Sequence, residues 1–202
     1  DDHIFFDGTT METDYVQAFL NAKVPECDTN GTIPYGGTTR AAYATPRGYP
    51  PPYTCLRYYS QDTPNKPAEP GLCNAYGGGV KTASQIIRDV ARDCGINPKV
   101  LIVLLEKEQS LVTDDWPWSI QYRSATGYGC PDTAPCDSEY YGFFNQVYNA
   151  ARQFKRYAKD ANLFGYRAFR DNYIQYNPNA ACGGSQVYIQ NHATAGLYNY
   201  TP

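Results

Sequence analysis

Histidine is scarce in this sequence, and its scarcity argues against several kinds of active site. Of 202 residues only two are histidines, His3 and His192. A Ser-His-Asp or Cys-His centre needs an internal histidine, and only His192 qualifies. A structural role near the C-terminus is the better explanation of His192. Because no Cys-x-x-Cys pair accompanies the histidines, we also expect no metal site and no cofactor.

An excess of positive charge and a long apolar run are also missing. The chain has 17 Lys and Arg against 20 Asp and Glu, a net charge of −3, so it offers no basic field to hold nucleic acid. Its longest apolar run covers residues 100–105, which is far too short to span a membrane. We therefore expect no nucleic-acid partner and no membrane span. A monomeric protein is a separate expectation, which these features do not decide.

Cysteine and tyrosine, in contrast, are abundant. The chain has 7 Cys and 20 Tyr, and this number of cysteines in an acidic chain indicates an oxidising compartment. Cys130 and Cys136 enclose a short loop that a disulfide could close. Seven is odd, so at least one cysteine is free or paired between chains. Because the chain also begins at Asp1 like a processed end, we expect a secreted protein.

Composition divides the chain near residue 75. Residues 1–75 are irregular and rich in Tyr, Pro and Cys, and we interpret them as a disulfide-stapled N-terminal extension packed on the core. Residues 76–202 carry the regular patterns and form the predicted main domain. The elements predicted there are helices over 82–94, 98–111, 145–162 and 192–198, a small hairpin within 119–142, and a strand over 185–189.

Glu108 is the most informative residue, because of the helix that carries it. Asn97 is a good N-cap for that helix, and Pro98 suits its first position. At ~100° per residue, Glu108 shares a face with apolar residues, whereas Glu106 points to nearly the opposite side. The apolar residues of that face are Leu101, Leu104, Leu105 and Val112. Burial raises the pKa of a carboxyl, and a protonated Glu can serve as a general acid. The alternative is a Glu at the edge of a core helix, with its head in solvent.

The segment from Gly95 through Glu108 to Ser110 resembles the catalytic helix of the lysozyme-like superfamily, and is most similar to goose-type lysozymes and soluble lytic transglycosylases. There a Gly-aliphatic-x-Pro turn precedes an apolar helix that ends in the catalytic Glu, usually followed by Ser. Here Gln109 intervenes. Residues 141–146 resemble the family's Gly-Leu-Met-Gln cleft segment with one residue added, and residues 195–200 resemble its Ala-Tyr-Asn-Ala-Gly segment. The match covers about residues 80–200, and the chain also looks like domains of secreted actinobacterial cell-wall hydrolases.

This resemblance implies an α+β, predominantly helical lysozyme-like fold with a small β-hairpin region. It implies a secreted, cell-wall-associated muramidase with antimicrobial action. Such an enzyme cleaves the β-1,4 bonds between N-acetylmuramic acid and N-acetylglucosamine in peptidoglycan glycan strands, with Glu108 as the general acid. Three alternatives stay open: a lytic transglycosylase that leaves anhydro-muramic ends, an N-acetylglucosaminidase of related fold, and a non-catalytic glycan-binding module of the same shape.

The second carboxylate of the implied reaction is left open. In goose-type enzymes a water-activating Asp shortly precedes the Gly that matches Gly142, so Asp137 is the first choice and Asp132 the second. Further candidates are Asp114, Asp115 and Glu139. Turn capping is the alternative role for each Asp.

Residues of the implied cleft are expected to bind the substrate. They combine ring faces with amide or hydroxyl groups, and they are Gln109, Tyr141, Phe144, Gln146, Tyr148 and Tyr198. We expect Glu108→Gln to abolish activity and leave the fold intact, and Glu106→Gln to do little.

Overall fold

A computed structural model describes residues 1–131 and 134–200 of the chain. Within them, helices form the body of the molecule, and the named strands form three two-stranded antiparallel hairpins. The helices are α1 (Asp2–Phe5), α2 (Thr13–Lys23), α3 (Arg40–Ala44), α4 (Ala83–Cys94), α5 (Pro98–Gln109), α6 (Ser119–Arg123), α7 (Phe143–Lys159) and α8 (His192–Tyr200). The strands pair as β1 (Pro34–Tyr35) with β2 (Thr38–Thr39), β3 (Ser60–Thr63) with β4 (Gly79–Thr82), and β5 (Arg170–Gln175) with β6 (Gly184–Ile189). The predicted, mainly helical α+β class is consistent with this arrangement.

Local signals in the sequence set the ends of the central helices. Thr82 and Gln85 form a reciprocal capping box at the start of α4, and Gly95 ends that helix at φ 61°, where a residue without Cβ is favoured. Asn97 caps α5 by accepting a backbone hydrogen bond, and Pro98 occupies its first turn. The predicted starts of both helices are therefore confirmed.

One hydrophobic core joins α4, α5 and α7 to the N-terminal part of the chain. The central helices bury residues that include Ile86, Ile87, Val90, Leu101, Leu105, Val147 and Phe154. Val16 and Leu20 on α2, together with Leu56, belong to the same core and are at most 1% exposed. Burying a side chain of this size stabilises the fold by about 1.5–3 kcal/mol. The predicted boundary at residue 75 thus runs through a shared core, and the division into two domains stays a prediction.

Three disulfides hold the irregular segments in place. Cys27 bonds to Cys55 within the N-terminal part, and Cys73 bonds to Cys94, which ties that part to the end of α4. Cys130 bonds to Cys136, as the short loop between them led us to expect. Cys182 is the cysteine left over from these disulfides, and it is free and exposed in the chain.

The two ends of the described chain meet. The carboxylate of Asp2 accepts hydrogen bonds from the backbone N–H groups of His192 at 3.1 Å and Ala193 at 2.7 Å, and so caps α8. The Asn97 side chain donates to the Ile4 carbonyl at 2.9 Å, which holds α1 against the start of α5. Residues 1–5 are therefore part of the folded body.

Outside the central helices, one predicted element is present in the structure and one is not. The predicted strand over 185–189 lies within β6. The hairpin predicted within 119–142 is wrong, because the described residues there form α6 and a 3-10 turn at Ser138–Tyr140. Gly and Pro are as compatible with such turns as with a hairpin. Across residues 1–131 and 134–200, no helix has both the length and the apolar character that crossing a membrane requires.

Candidate functional site: a tyrosine-lined groove beside Glu108

Glu108 lies in the last turn of α5, at the edge of the core. Leu101, Leu104 and Leu105 on the same face are buried, as the periodicity predicts. The Glu108 side chain, however, is 21% exposed, and its Oε1 lies 2.7 Å from the Nζ of Lys107. Its surroundings therefore differ from the buried apolar stripe that the sequence predicted, and match the alternative of a carboxylate whose head reaches solvent.

Gly127 packs directly against the Glu108 carboxylate. A methyl group at position 127 would lie 3.0 Å from Oε2 of Glu108 and 3.5 Å from its carboxyl carbon. Gly127 also has φ +70°, a conformation that side chains with a Cβ rarely adopt. Both facts explain a glycine here. The end of α5 is tied to the same loop, because the Gln109 side chain donates to the Ser124 hydroxyl at 3.4 Å.

Glu106, expected to be unimportant, has a structural role. Its carboxylate accepts hydrogen bonds from the backbone N–H groups of Val112 and Thr113, both at 3.1 Å. The Thr113 hydroxyl donates to its other oxygen at 2.7 Å. The turn that follows α5 is therefore held by this side chain. Helical periodicity missed the role because the partners lie beyond the end of the helix.

A groove of about 400 Å³ opens beside Gly127. Four tyrosines contribute to its wall, and the complete lining is Gly127, Tyr128, Gly129, Cys130, Pro131, Tyr140, Gln153, Tyr157 and Tyr200. We call it the tyrosine groove. Its residues come from three separate parts of the chain: the loop 127–131 with Tyr140, helix α7, and the end of α8.

Ring contacts fix the orientation of the groove tyrosines. Tyr128 and Tyr140 meet edge to face with ring centres 4.8 Å apart, and Tyr200 stacks on buried Phe154 at 4.9 Å. The Tyr200 hydroxyl donates to the Thr126 carbonyl at 2.8 Å. Burial raises the pKa of Tyr128, and it raises that of Tyr200 further, with the Glu108 charge adding to the effect. These hydroxyls are therefore neutral at physiological pH.

Gln146 holds the groove loop in place. It is fully buried, and its Nε2 donates to the carbonyls of Tyr128 at 2.9 Å and Tyr140 at 2.7 Å. Its Oε1 accepts from the backbone N–H groups of Thr126 at 3.2 Å and Tyr128 at 3.1 Å. The Gln146 amide thus forms these hydrogen bonds with backbone groups. Gln146 is therefore a residue that positions the groove loop, and its side chain does not face a ligand.

The other expected substrate contacts are dispersed. Phe144 is 1% exposed and stacks on Tyr148, itself 3% exposed, so both lie in the core and beyond the reach of a surface ligand. Tyr141 is half-buried under the Arg123 guanidinium, and Tyr198 packs on Tyr166. Gln109 binds Ser124, as described above. None of these side chains lines the tyrosine groove.

The candidate second carboxylates are engaged in turns and ion pairs. Asp137 is exposed and caps the turn Ser138–Tyr140 by accepting from the Glu139 N–H at 3.0 Å. Asp114 accepts from the Trp116 N–H at 2.9 Å and from the Gln121 side chain, and Asp115 pairs with Arg40 at 2.9 Å. Asp132 lies outside the described residues. Turn capping, the alternative weighed for each Asp, is what the structure shows for Asp137 and Asp114.

Comparison with known proteins identifies the family. The model of the family described as "LasA, N-terminal domain" matches residues 1–180. The chain belongs to the LasA N-terminal domain family. No curated protein and no solved structure matches it. LasA proteins are secreted staphylolytic proteases, and the three disulfides of this chain are consistent with a secreted protein.

Membership of the LasA family overturns the expected activity. That family is related to glycyl-glycine endopeptidases and not to glycoside hydrolases, so the muramidase prediction is wrong. The catalytic roles expected for Glu108, Asp137 and Asp132 depended on that activity. No relative supports the lysozyme-like superfamily. Among residues 1–131 and 134–200, no group of three or more His, Cys, Asp or Glu side chains is placed to hold a metal ion.

Sequence reasoning missed most of the tyrosine groove. Its four tyrosines are separated by up to 72 positions and follow no common period, so only their tertiary contacts reveal them. The run Gly127-Tyr128-Gly129 was the one local signal, because two glycines that flank an aromatic residue often mark a turn that presents its ring. Both glycines have φ +70°.

Proposed function

We propose that this domain binds peptidoglycan and that the tyrosine groove is its contact surface. The observation that carries the proposal is the groove itself: four oriented tyrosine rings beside the partly exposed carboxylate of Glu108. LasA-family proteins are directed at peptidoglycan, and a domain of such a protein gains from holding the insoluble wall. The groove volume of about 400 Å³ is in the usual range for ligand sites, ~300–1,000 Å³.

The groove chemistry suits a polymer of sugars and short peptides. Neutral tyrosines present flat apolar faces, which suit the C–H faces of sugar rings, although the hydroxyls of Tyr157 and Tyr200 are bonded to backbone carbonyls. Glu108 does not line the groove, but its carboxylate contacts the lining residue Gly127 and can accept hydrogen bonds from hydroxyl, amide or ammonium groups. Because Gln146 and the Tyr128–Tyr140 contact fix the rings in advance, little conformational entropy is lost on binding.

Co-sedimentation with purified, insoluble peptidoglycan tests the proposal. The wild-type domain should pellet with the polymer in a saturable way. Tyr128→Ala and Tyr140→Ala should each weaken binding about tenfold, since a buried aromatic contact at a binding surface is worth more than ~1 kcal/mol. Tyr176→Ala is the matched control, because Tyr176 is 69% exposed and lies outside the groove.

The controls make the result interpretable. Each variant should keep its near-ultraviolet circular dichroism and its urea midpoint close to those of the wild type, so that weaker binding is not mistaken for unfolding. Failure of the folded wild-type domain to pellet would overturn the proposed function. Equal losses in Tyr140→Ala and Tyr176→Ala would overturn the assignment of the groove.

A further inference from the structure

A second groove lies on a different part of the surface. It has a volume of about 360 Å³ and is built from tyrosines, prolines and hydroxyl residues. Its lining is Tyr49, Pro50, Pro52, Tyr53, Thr54, Tyr58, Tyr59, Ser60, Pro117, Ser119 and Tyr122. We call it the Tyr-Pro groove. It shares no lining residue with the tyrosine groove.

Stacked aromatic pairs make the walls of the Tyr-Pro groove rigid. The Tyr49 ring stacks on Trp118 with centres 4.6 Å apart and planes at 20°. Tyr59 stacks on Tyr122 at 4.2 Å and 8°. Such pairs add about 0.5–1.5 kcal/mol beyond the area they bury. The rings of these two pairs are therefore held in one orientation before a ligand binds.

Hydrogen bonds hold the proline-rich wall to the rest of the fold. The Tyr53 N–H donates to the Thr29 carbonyl at 2.8 Å, and the Tyr53 hydroxyl donates to the Tyr49 carbonyl at 3.0 Å. The Tyr122 hydroxyl donates to the Thr54 carbonyl at 2.6 Å. The adjacent Cys55 is fixed by its disulfide to Cys27. A wall that is ordered before binding loses little entropy on binding.

The composition of the lining selects the class of ligand. No lining residue carries a charge, and burial raises the pKa of Tyr59 and Tyr122, which keeps their hydroxyls neutral. Thr54, Ser60 and Ser119 are exposed and bring hydroxyl groups to the same groove. A charged ligand would lose hydration here and find no opposite charge among the lining residues. An uncharged pyranose fits, because its C–H face can lie on an aromatic ring while its hydroxyl and acetamido groups reach the polar rim.

We propose that the Tyr-Pro groove binds the uncharged N-acetylhexosamine units of the peptidoglycan glycan strand. This inference rests on the proposed function, which makes peptidoglycan the polymer in contact with the domain. Tyr58 is the lining tyrosine best placed to meet the sugar, since it is the one that is exposed, at 59%. The Arg57 guanidinium lies 4.7 Å from the centre of its ring. The two grooves would then hold separate parts of one polymer.

Titration with a β-1,4-linked N-acetylglucosamine tetramer, which contains no peptide and no charge, tests the inference. The chain has two tryptophans, Trp116 and Trp118, and Trp118 stacks on groove residue Tyr49. Binding should therefore change tryptophan fluorescence in a saturable way, and calorimetry should give the same affinity. Tyr58→Ala should weaken the affinity about fivefold to tenfold. Tyr15→Ala, at a 71% exposed position on α2, should leave it unchanged.

The outcomes separate this inference from the proposed function. A wild-type domain that pellets with peptidoglycan but shows no saturable tetramer binding would overturn the inference alone. Unchanged tetramer affinity in a folded Tyr58→Ala protein would also overturn it. Failure to pellet would overturn the proposed function, and tetramer binding that depends on Tyr58 would still support a sugar site in the Tyr-Pro groove.

Discussion

The carboxylate of Glu108 lies against Gly127, so close that a methyl group at position 127 would sit 3.0 Å from Oε2. Glu108 lies in the last turn of the apolar helix α5, and Gly127 begins the loop that lines the tyrosine groove. The contact therefore joins Glu108, the most informative residue of the sequence, to the tyrosine groove. It sets both where the carboxylate lies and how closely the loop approaches the helix.

Gly127→Ala should disturb both the fold and the groove. The left-handed backbone at φ +70° costs an alanine about 1–2 kcal/mol, and the new methyl group pushes on the Glu108 carboxylate. Gly37→Ala is the matched control, because Gly37 has φ +82° and no atom within 4 Å of the added methyl. Urea unfolding should show a loss in both variants, whereas peptidoglycan binding should fall only in Gly127→Ala. Equal binding by the two folded variants would contradict the proposed role of this contact.

Glu106→Gln should destabilise the protein more than Glu108→Gln does. The Glu106 carboxylate accepts three hydrogen bonds from Val112 and Thr113, and an amide replaces one accepting oxygen with a donor. We expect a loss of about 1–2 kcal/mol in the free energy of unfolding. Glu108 makes one ion pair with Lys107 at the surface, so its amide variant should lose less than ~1 kcal/mol. Urea titrations of the two variants check the order, and the reverse order would refute it.

Stability should fall at acidic pH, in part through Asp28. Burial alone would raise the pKa of Asp28, but backbone N–H groups of Ile33 and Thr32 and the Arg40 guanidinium outweigh it, and the pKa lies below its usual 3.8. Because the folded-state pKa is depressed, this stabilisation is present above about pH 4 and is lost as pH falls through the folded value. Unfolding free energies measured from pH 7 to pH 2 should decline less steeply in Asp28→Asn than in wild type. Asp14→Asn, at an exposed position, serves as the control.

Removal of the Cys73–Cys94 disulfide should cost about 3 kcal/mol. The bond closes a loop with a sequence separation of 21. Its loss raises the conformational entropy of the unfolded chain and so favours unfolding. The double variant Cys73→Ala/Cys94→Ala should therefore unfold at clearly lower urea concentration. Cys182→Ala is the control, because this thiol is exposed and unbonded, and it should change little. Thiol titration of the native wild-type protein should find one reactive group per chain, and a second would contradict the pairing.

Much of the helical framework could be predicted from the sequence, because its signals are local. Asn97 and Pro98 mark the start of α5 through contacts within one turn, and both act as their positions predict. The capping box of Thr82 and Gln85 at the start of α4 is local as well. The closed loop between Cys130 and Cys136 is equally local. The environment of Glu108 was not predictable in this way, since it depends on Gly127, a residue 19 positions away.

The activity inferred from resemblance failed for a related reason. An apolar helix that ends in Glu, preceded by a Gly-x-x-Pro turn, describes a local structure, and different functions can use the same local structure. Only the family model, which matches residues 1–180 as a whole, assigned the chain to the LasA N-terminal domain family. The weak motifs at 141–146 and 195–200 resembled a superfamily that no relative supports, because short segments carry little information.

By itself, the sequence predicted the mainly helical class, the starts of α4 and α5 and a cysteine left over from the intrachain disulfides, and its cysteine content is consistent with secretion. These properties follow from the composition, from the odd number of cysteines and from contacts within a few residues. Only the tertiary structure showed that the Gln146 amide holds the backbone of the groove loop. It alone also brought four tyrosines together to line a groove, namely Tyr128, Tyr140, Tyr157 and Tyr200. The physical reason is that a groove is made by side chains from distant segments, and whether a ring or an amide faces solvent depends on what packs against it.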